Sequence, residues 1–488
     1  NYLKLDYSLG KFSAGIQGDI YMPVLQGYSQ ELRGAKIVNK YASWTDDNFF
    51  VTVGDFFDQY GSGLIFRAYE DRALGINSGV EGVRAGMNFG DFFSITAMMG
   101  RPRLYMEYAP TWLRGANATL SLSSLFNIES QYLAIEGSYL SQYDEFRTDS
   151  WFNDMEGHNP FSANMNAWSG RLAYEVAGFS SKVEIAGRSA SPYLGESGYD
   201  PQSGRAYLVE LGYSGYGWGV SLTARHVDYM TMKLTENTDT KYTTGIGNVL
   251  NYIPALTRIY TYSLANLDPY QVKSDGEKAA QLDGFYNIRR GTKLGGRYGT
   301  KLHVNAAIAY QSDFAMFHSH TDNNNFAYLD ASFDFEKQWD KKWKTTLMFA
   351  FQRMRGESNM NIMLNRYVVA LDGLYKMTPK QSLRLELQYL YAPLAEEAYG
   401  RDNRNQGSWW AAQLEYNIAP SFSFFVSDMY NYKIEKVHYY SVGMSYSKSR
   451  TRIAFTYGRN RAGYVCSGGV CRQMPAYTGI NLSITTSF

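Results

Sequence analysis

Tyr477–Phe488 reads YTGINLSITTSF. Ile480, Leu482 and Ile484 alternate with Gly479, Asn481, Ser483 and Thr485. Side chains two apart share one face of a strand, so this segment is apolar on one side and small or polar on the other. Such a strand needs neighbours of the same kind, and the chain supplies them. Leu302, Val304, Ala306, Ile308 and Tyr310 alternate with His303, Asn305, Ala307 and Gln311. Leu383, Leu385, Leu387 and Tyr389 alternate with Arg384, Glu386 and Gln388. Leu329, Ala331, Phe333 and Phe335 lead into a turn at Asp340, and Trp343, Thr345, Leu347, Phe349 and Phe351 carry the apolar face back.

Composition decides what kind of sheet this is. The chain is polar on average, yet aromatics make up 16% of it, with 42 tyrosines. A membrane-spanning helix needs roughly 18 consecutive apolar residues, and no such run occurs. A transmembrane barrel reconciles polarity with abundant aromatics, because its lumen and loops are wet while a narrow apolar band faces lipid between aromatic girdles. A water-soluble all-β protein is the competing reading. The net charge of +1 leaves no basic excess for nucleic acid.

The repeating unit is a run of about ten alternating residues, a tight turn, a second run and a longer loop. Tight turns fall at Gly10–Lys11, Asp46–Asn48, Gly90–Asp91, Gly299–Thr300 and Asp340–Lys341, among others. In a bacterial barrel these lie in the periplasm. Long connections are expected at 189–204, 229–284, 313–325, 354–363, 393–407 and 462–476, on the extracellular side. The pattern predicts an all-β fold: one transmembrane antiparallel barrel of about 22–24 strands, built from residues 1–488 as a single domain. The insertion at 229–284 is too long for a plain connection and reads as a lid, an inward fold or a docking segment. The first tight turn follows the first strand, which makes that strand run downward. Either a strand upstream of Asn1 belongs to the barrel, or one segment within 101–130 is not a barrel strand. The rarity of odd closed barrels favours the first. No basic start or apolar core of a signal peptide opens the sequence, so a processed or trimmed form is expected.

Two stretches carry a family resemblance. Val51–Phe89 (VTVGDFFDQYGSGLIFRAYEDRALGINSGVEGVRAGMNF) and Tyr252–Tyr270 (YIPALTRIYTYSLANLDPY) resemble a family of large outer-membrane barrels from Bacteroidota. The C-terminal strand ending on Phe488 is similar to the closing strand of bacterial outer-membrane barrels. The resemblance implies an outer-membrane location, contact with lipid and lipopolysaccharide, and recognition of Phe488 by the barrel-assembly machinery. It implies no activity.

Candidate sites follow from charge. Arg67, Glu70, Asp71 and Arg72 form the densest cluster, with Glu81, Arg84, Arg101 and Arg103 downstream. They would either constrict the lumen with a transverse field or neutralise one another and pin the segment to the wall. Arg384 and Glu386 face the lumen by alternation, as do Arg171, Glu184, Arg188, Arg225, Asp330 and Asp334, because charge against lipid is costly. Cys466 and Cys471, five positions apart in GYVCSGGVCR, suit a disulfide better than zinc, which would require two more ligands. His318 and His320 with Asp322 offer a chelate or an incidental polar loop. His226 and Asp228 lack a serine motif, so no enzyme and no cofactor are expected. Two functions remain. One is a channel or transporter for polar solutes, its lumen narrowed by inward loops. The other is a structural or accessory barrel of a larger outer-membrane assembly, in secretion or barrel assembly, with partner proteins or lipoproteins and a closed lumen.

Overall fold

The computed structural model describes residues 1–154, 156–195, 198–239, 247–312, 325–355, 363–393, 407–467 and 470–488. Among them one antiparallel sheet of 24 strands dominates, beginning at Tyr2–Leu9 and ending at Tyr477–Thr486. One of the 24, Glu107–Tyr108, is a two-residue hook. The other 23 form a transmembrane β-barrel wall in which each strand pairs with the next wall strand.

The period-two pattern sets the register. Leu302, Phe335, Leu347, Leu371 and Leu387 sit side by side across five strands. One residue along, the row reads His303, Asp334, Met348, Ala370 and Gln388. Leu371 and Leu387 are 45% and 42% exposed, whereas Met348 and Ala370 are fully buried. The apolar row therefore faces outward and the mixed row inward. This inverts a soluble sandwich and matches a lipid-facing exterior.

Connections are short at one end of the wall and long at the other. At the long-loop end the sheet comes round on itself. Arg472, ahead of the last strand, donates to the carbonyls of Gly27 at 2.7 Å and Ala73 at 2.8 Å, and its guanidinium lies 4.0 Å over the Tyr28 ring. Among the described residues, Tyr2–Leu9 pairs only with Phe12–Tyr21, and Tyr477–Thr486 only with Thr451–Asn460. Both edge strands run toward the short-turn end, as the parity of 23 requires.

Several expected boundaries move. Residues 189–195 and 198–204 are not an open loop: they belong to strands Phe179–Gly195 and Gly198–Gly215, with Pro192 opposite Pro201 beyond a bulge at 188–191. The insertion after Asp228 ends earlier than 284, because a strand resumes at Gly276. The turn expected at Gly299–Thr300 is the tail of a longer connection, 289–299. Within 101–130, Phe93–Leu104 and Thr111–Ser121 are both wall strands; the Glu107–Tyr108 hook and the helical turn Leu122–Leu125 stand outside the wall. The connections at 313–325, 354–363 and 393–407 lie largely outside the described residues, as do His318, His320 and Asp322.

Candidate functional site: the occluded lumen

Two segments leave the wall and fold into the lumen. The first, 57–79, joins strands Phe49–Phe56 and Val80–Phe89, which pair with each other beneath it. The second, 229–275, joins Trp218–Asp228 to Gly276–Ile288, which are also paired. Its two feet meet: the Met230 N–H donates to Ser274 O at 3.0 Å and the Tyr229 N–H to Asp275 O at 3.2 Å. The second segment is a strap, entering and leaving at one place on the wall.

The strap is apolar enough to bury and polar enough to need partners. Met230, Met232, Leu234, Leu250, Leu264 and Leu267 are all buried. They pack in two clusters, one shared with Tyr60, Leu64, Ile65 and Phe66 of the first segment, the other with Met348, Leu364 and Trp409 of the far wall. Among the described residues the strap's irregular backbone forms no ladder of its own, and wall side chains satisfy much of it. Gln142 donates to the carbonyls of Lys233 at 3.0 Å and Leu234 at 2.7 Å. Arg225 reaches Pro254 O, Gln352 reaches Ala265 O, and Gln388 Oε1 accepts the Leu264 N–H at 2.9 Å. Arg366 pairs with Asp268 at 2.9 Å, Tyr260 donates to Asp330, and Arg258 pairs with Asp334. These anchors stand on strands from Gln131–Asp144 round to Gln381–Tyr391, so the strap crosses the lumen rather than lining one side.

Asn251 ties the two inward segments together. Its amide donates to Leu64 O at 2.8 Å and Met230 O at 2.7 Å, and its oxygen accepts the Met232 N–H at 3.1 Å. Arg67 makes the neighbouring tie. Its N–H donates to Leu250 O at 3.0 Å, and its guanidinium lies 3.8 Å from the Tyr252 ring centre and 4.5 Å from that of Tyr69. Burial raises the Tyr69 phenol to about 12, against the lowering effect of Arg67. Burial likewise pushes the strap phenols of Tyr260, Tyr262 and Tyr270 well above their ordinary value, reinforced by Asp330, Asp372 and Glu277 respectively.

The other charged residues singled out in the sequence are mostly paired. Arg72 bridges Glu70 at 2.8 Å and Asp19 at 3.4 Å, and lies 3.7 Å over Tyr2. Asp71 accepts the Leu74 N–H at 3.0 Å. Arg84 grips Asp58 at 2.8 and 3.3 Å. Arg103 lies 3.4 Å from Asp55, and Glu81 pairs with Lys40. Arg384 meets Asp372 at 2.6 Å, Glu386 at 2.8 Å and Glu415 at 3.8 Å. The Arg384–Glu386 group and the Arg67–Arg84 group stand on widely separated strands and do not meet. Cys466 and Cys471 form a disulfide across the hairpin Gly463–Ser467/Val470–Met474. Phe488 is 91% exposed. His226 pairs with Asp228 at 3.0 Å and stacks on Tyr207, an outward-facing ring.

Alternation located Arg225, Asp330 and Asp334 on the lumen face but not their roles as strap anchors. It places Gln388 on the polar face without a role, and Asn251, Gln142, Gln352, Arg258 and Arg366 carry no sequence signal of their own beyond a polar side chain. A long amide or guanidinium at an inward position was the available signal.

Toward the short-turn end the lumen face stays polar. His303 bridges Asp283 at 2.9 Å and Asp334 at 3.0 Å, and Arg171 bridges Glu136 and Glu184. Cavities of about 910 and 1090 Å³ open at this rim, the first lined by Ser123, Glu175 and Ser180, the second by Trp218, Arg290 and Glu336. The lumen is thus crossed by the strap and the 57–79 segment, with a polar, mixed-charge face toward the short-turn rim.

No curated protein sequence matches the chain. Among solved structures, the P pilus usher PapC translocation pore is similar at 8% identity, covering 97% of this chain and 90% of that one, with a TM-score of 0.43. The siderophore receptor PirA from Pseudomonas aeruginosa is similar at 11% identity over 100% of this chain and 76% of that one, with a TM-score of 0.40. The FrpB iron transporter from Neisseria meningitidis (F5-1 variant) is similar at 8% identity over 100% and 82%, with a TM-score of 0.38. A family model spans residues 1–488, and the chain belongs to that family, a family of unknown function (DUF6029).

Proposed function

We infer that the protein is a gated transport barrel of the outer membrane, passing polar solutes when the strap is displaced. The short turns face the periplasm, the long loops face outward, and Tyr477–Phe488 serves as the assembly signal. The observation that carries this reading is a mixed-charge lumen face crossed by a strap that is paired at its feet and held mainly by side chains. A barrel of this size encloses more space than its wall side chains fill. The lumen face carries groups such as Glu336, Asp283 and Arg384, which suit hydrated solutes.

The test is conductance in planar bilayers. The strap's feet are already hydrogen-bonded, so 231–273 can be replaced by a two-residue turn without parting the wall strands. The shortened protein should fold, shown by a heat-modifiable band, and give large steps that polar solutes block. A folded but silent variant would overturn the reading. A second reading, an accessory barrel within a larger outer-membrane assembly, draws support from the two apolar clusters that seal the strap. It predicts partners that co-purify with the wild type and are lost with the strap.

A further inference from the structure

The short-turn rim is electrically lopsided. Connection 289–299 and the start of the next strand carry Arg289, Arg290, Lys293, Arg297 and Lys301, with no acidic residue among 289–301. All five are exposed. The next short connection, between Phe326–Gln338 and Trp343–Arg355, adds the exposed Lys341 and Lys342. The two connections touch, because Lys337 Nζ donates to Leu294 O at 2.9 Å.

The two acids in this sector, Glu336 and Asp340, are too few to cancel the excess. Glu336 is paired with Lys344 at 2.9 Å. Asp340 is occupied by the backbone N–H groups of Lys342 at 2.6 Å and Trp343 at 2.7 Å. The rim of the first strands differs. Asp46, Asp47 and Asp91 stand at its turns, and its Lys11 is held by Asp46 at 2.5 Å. The patch also has a concavity, the cavity of about 1090 Å³ walled by Tyr216, Trp218, Arg289, Arg290 and Lys301.

Exposed Lys380, Lys448 and Arg450 continue the basic rim at later short turns, while the acids stand at the turns of the first strands. Membrane lipid surrounds a barrel on all sides, so it gives no reason for cations to gather on one half of the rim. A protein partner docks eccentrically and does. Its chemistry follows from complementarity: carboxylates to meet the cations, in an extended segment that can enter the cavity. We propose that the 289–301 and 337–344 rim is a docking surface for an acidic segment of a periplasmic protein. This rests on the short-turn end facing the periplasm, and is independent of whether the strap opens.

The full-length protein in nanodiscs of zwitterionic lipid is titrated into a fluorescent hexaglutamate peptide, read by anisotropy at low and physiological salt. Wild type should bind, more weakly as salt rises. The triple variant Arg290→Glu, Lys293→Glu, Arg297→Glu should bind at least ~tenfold more weakly. Lys11→Glu, across the rim, should bind as wild type does. Equal binding by the triple variant, or equal loss in Lys11→Glu, overturns the proposal. So does failure of the peptide to bind while phosphatidylglycerol vesicles do, with the triple variant losing that binding; the patch would then be a lipid site.

Discussion

Asn251→Ala should open the barrel. The side chain is 5% exposed and makes three hydrogen bonds, two to carbonyls of different segments and one from the Met232 N–H. Alanine removes all three and strands two buried carbonyls and an N–H. Each net bond is worth about 1 kcal/mol, and stranded buried groups add to the loss. With the strap released these groups meet water, so the cost falls on the closed state alone. A destabilisation of about 3–4 kcal/mol shifts the closed-to-open ratio by roughly 10²–10³. The Tyr252 N–H to Gly63 O bond and the Arg67 N–H to Leu250 O bond are untouched, so the wall should fold normally. Open probability in single-channel records is the assay, with proteolysis of the strap as a second readout. An Asn251→Ala barrel that is folded, with open probability within about threefold of wild type and an equally protected strap, would refute the role of Asn251 as the tie.

Alkaline pH should act in the same direction. The phenols of Tyr260, Tyr262 and Tyr270 are raised when the strap is seated, so the seated state holds protons that the released state has given up. Their contribution to closure is complete below about pH 10 and is lost as pH rises above it. Conductance should climb above pH 10, and a flat profile on a barrel that stays folded would count against it. Gly82→Ala should weaken the wall, because a Cβ there would sit 2.0 Å from Met99 O and 2.6 Å from Gly100 Cα. About 1–3 kcal/mol of overpacking should lower the unfolding midpoint in urea, and an unchanged midpoint would mean the strands part freely. Replacing Cys466 and Cys471 by serine reopens a six-residue loop, worth roughly 2 kcal/mol of hairpin order. Trypsin should then cut after Arg472, now 8% exposed, while the lumen stays shut.

The wall was legible because lipid and lumen impose opposite chemistries on alternate residues. Leu385 and Leu387 could only point one way, and Glu386 and Gln388 the other. The strap was not legible beyond its existence. Its conformation is fixed by contacts far apart in the chain, such as Asn251 with Leu64, 187 residues away, and no local period encodes them. The misread stretch at 189–204 shows a related limit. Pro192, Gly195, Gly198 and Pro201 punctuate the sequence like a loop, yet the two strands extend through them. Proline is tolerated where strands no longer need a full ladder. The charged cluster at 67–103 was found by composition. That Arg67 stacks on tyrosines while Arg72 and Arg84 hold carboxylates depends on the fold of 57–79, which composition does not carry.

The anchoring of the strap and the basic rim meet on one element. Strand Phe326–Gln338 carries Asp330, Ser332 and Asp334, which hold Tyr260 and Arg258 of the strap, and ends in Glu336 and Lys337 at the rim. A ligand shifts an equilibrium only by its differential affinity for the two states. An acidic segment bound at the rim would draw Lys337 from Leu294 O and displace Glu336 from Lys344, two residues from the Arg258–Asp334 pair. Saturating hexaglutamate should therefore raise the wild-type open probability, and by linkage an opened barrel should bind the peptide more tightly by the same factor. Asp334→Asn cuts the strand's charged hold on Arg258 without touching the rim. It should raise basal opening and remove most of the peptide's further effect, while peptide affinity stays within that linkage factor. Peptide binding that leaves open probability unchanged in wild type would separate the two sites and leave the rim as a docking surface alone.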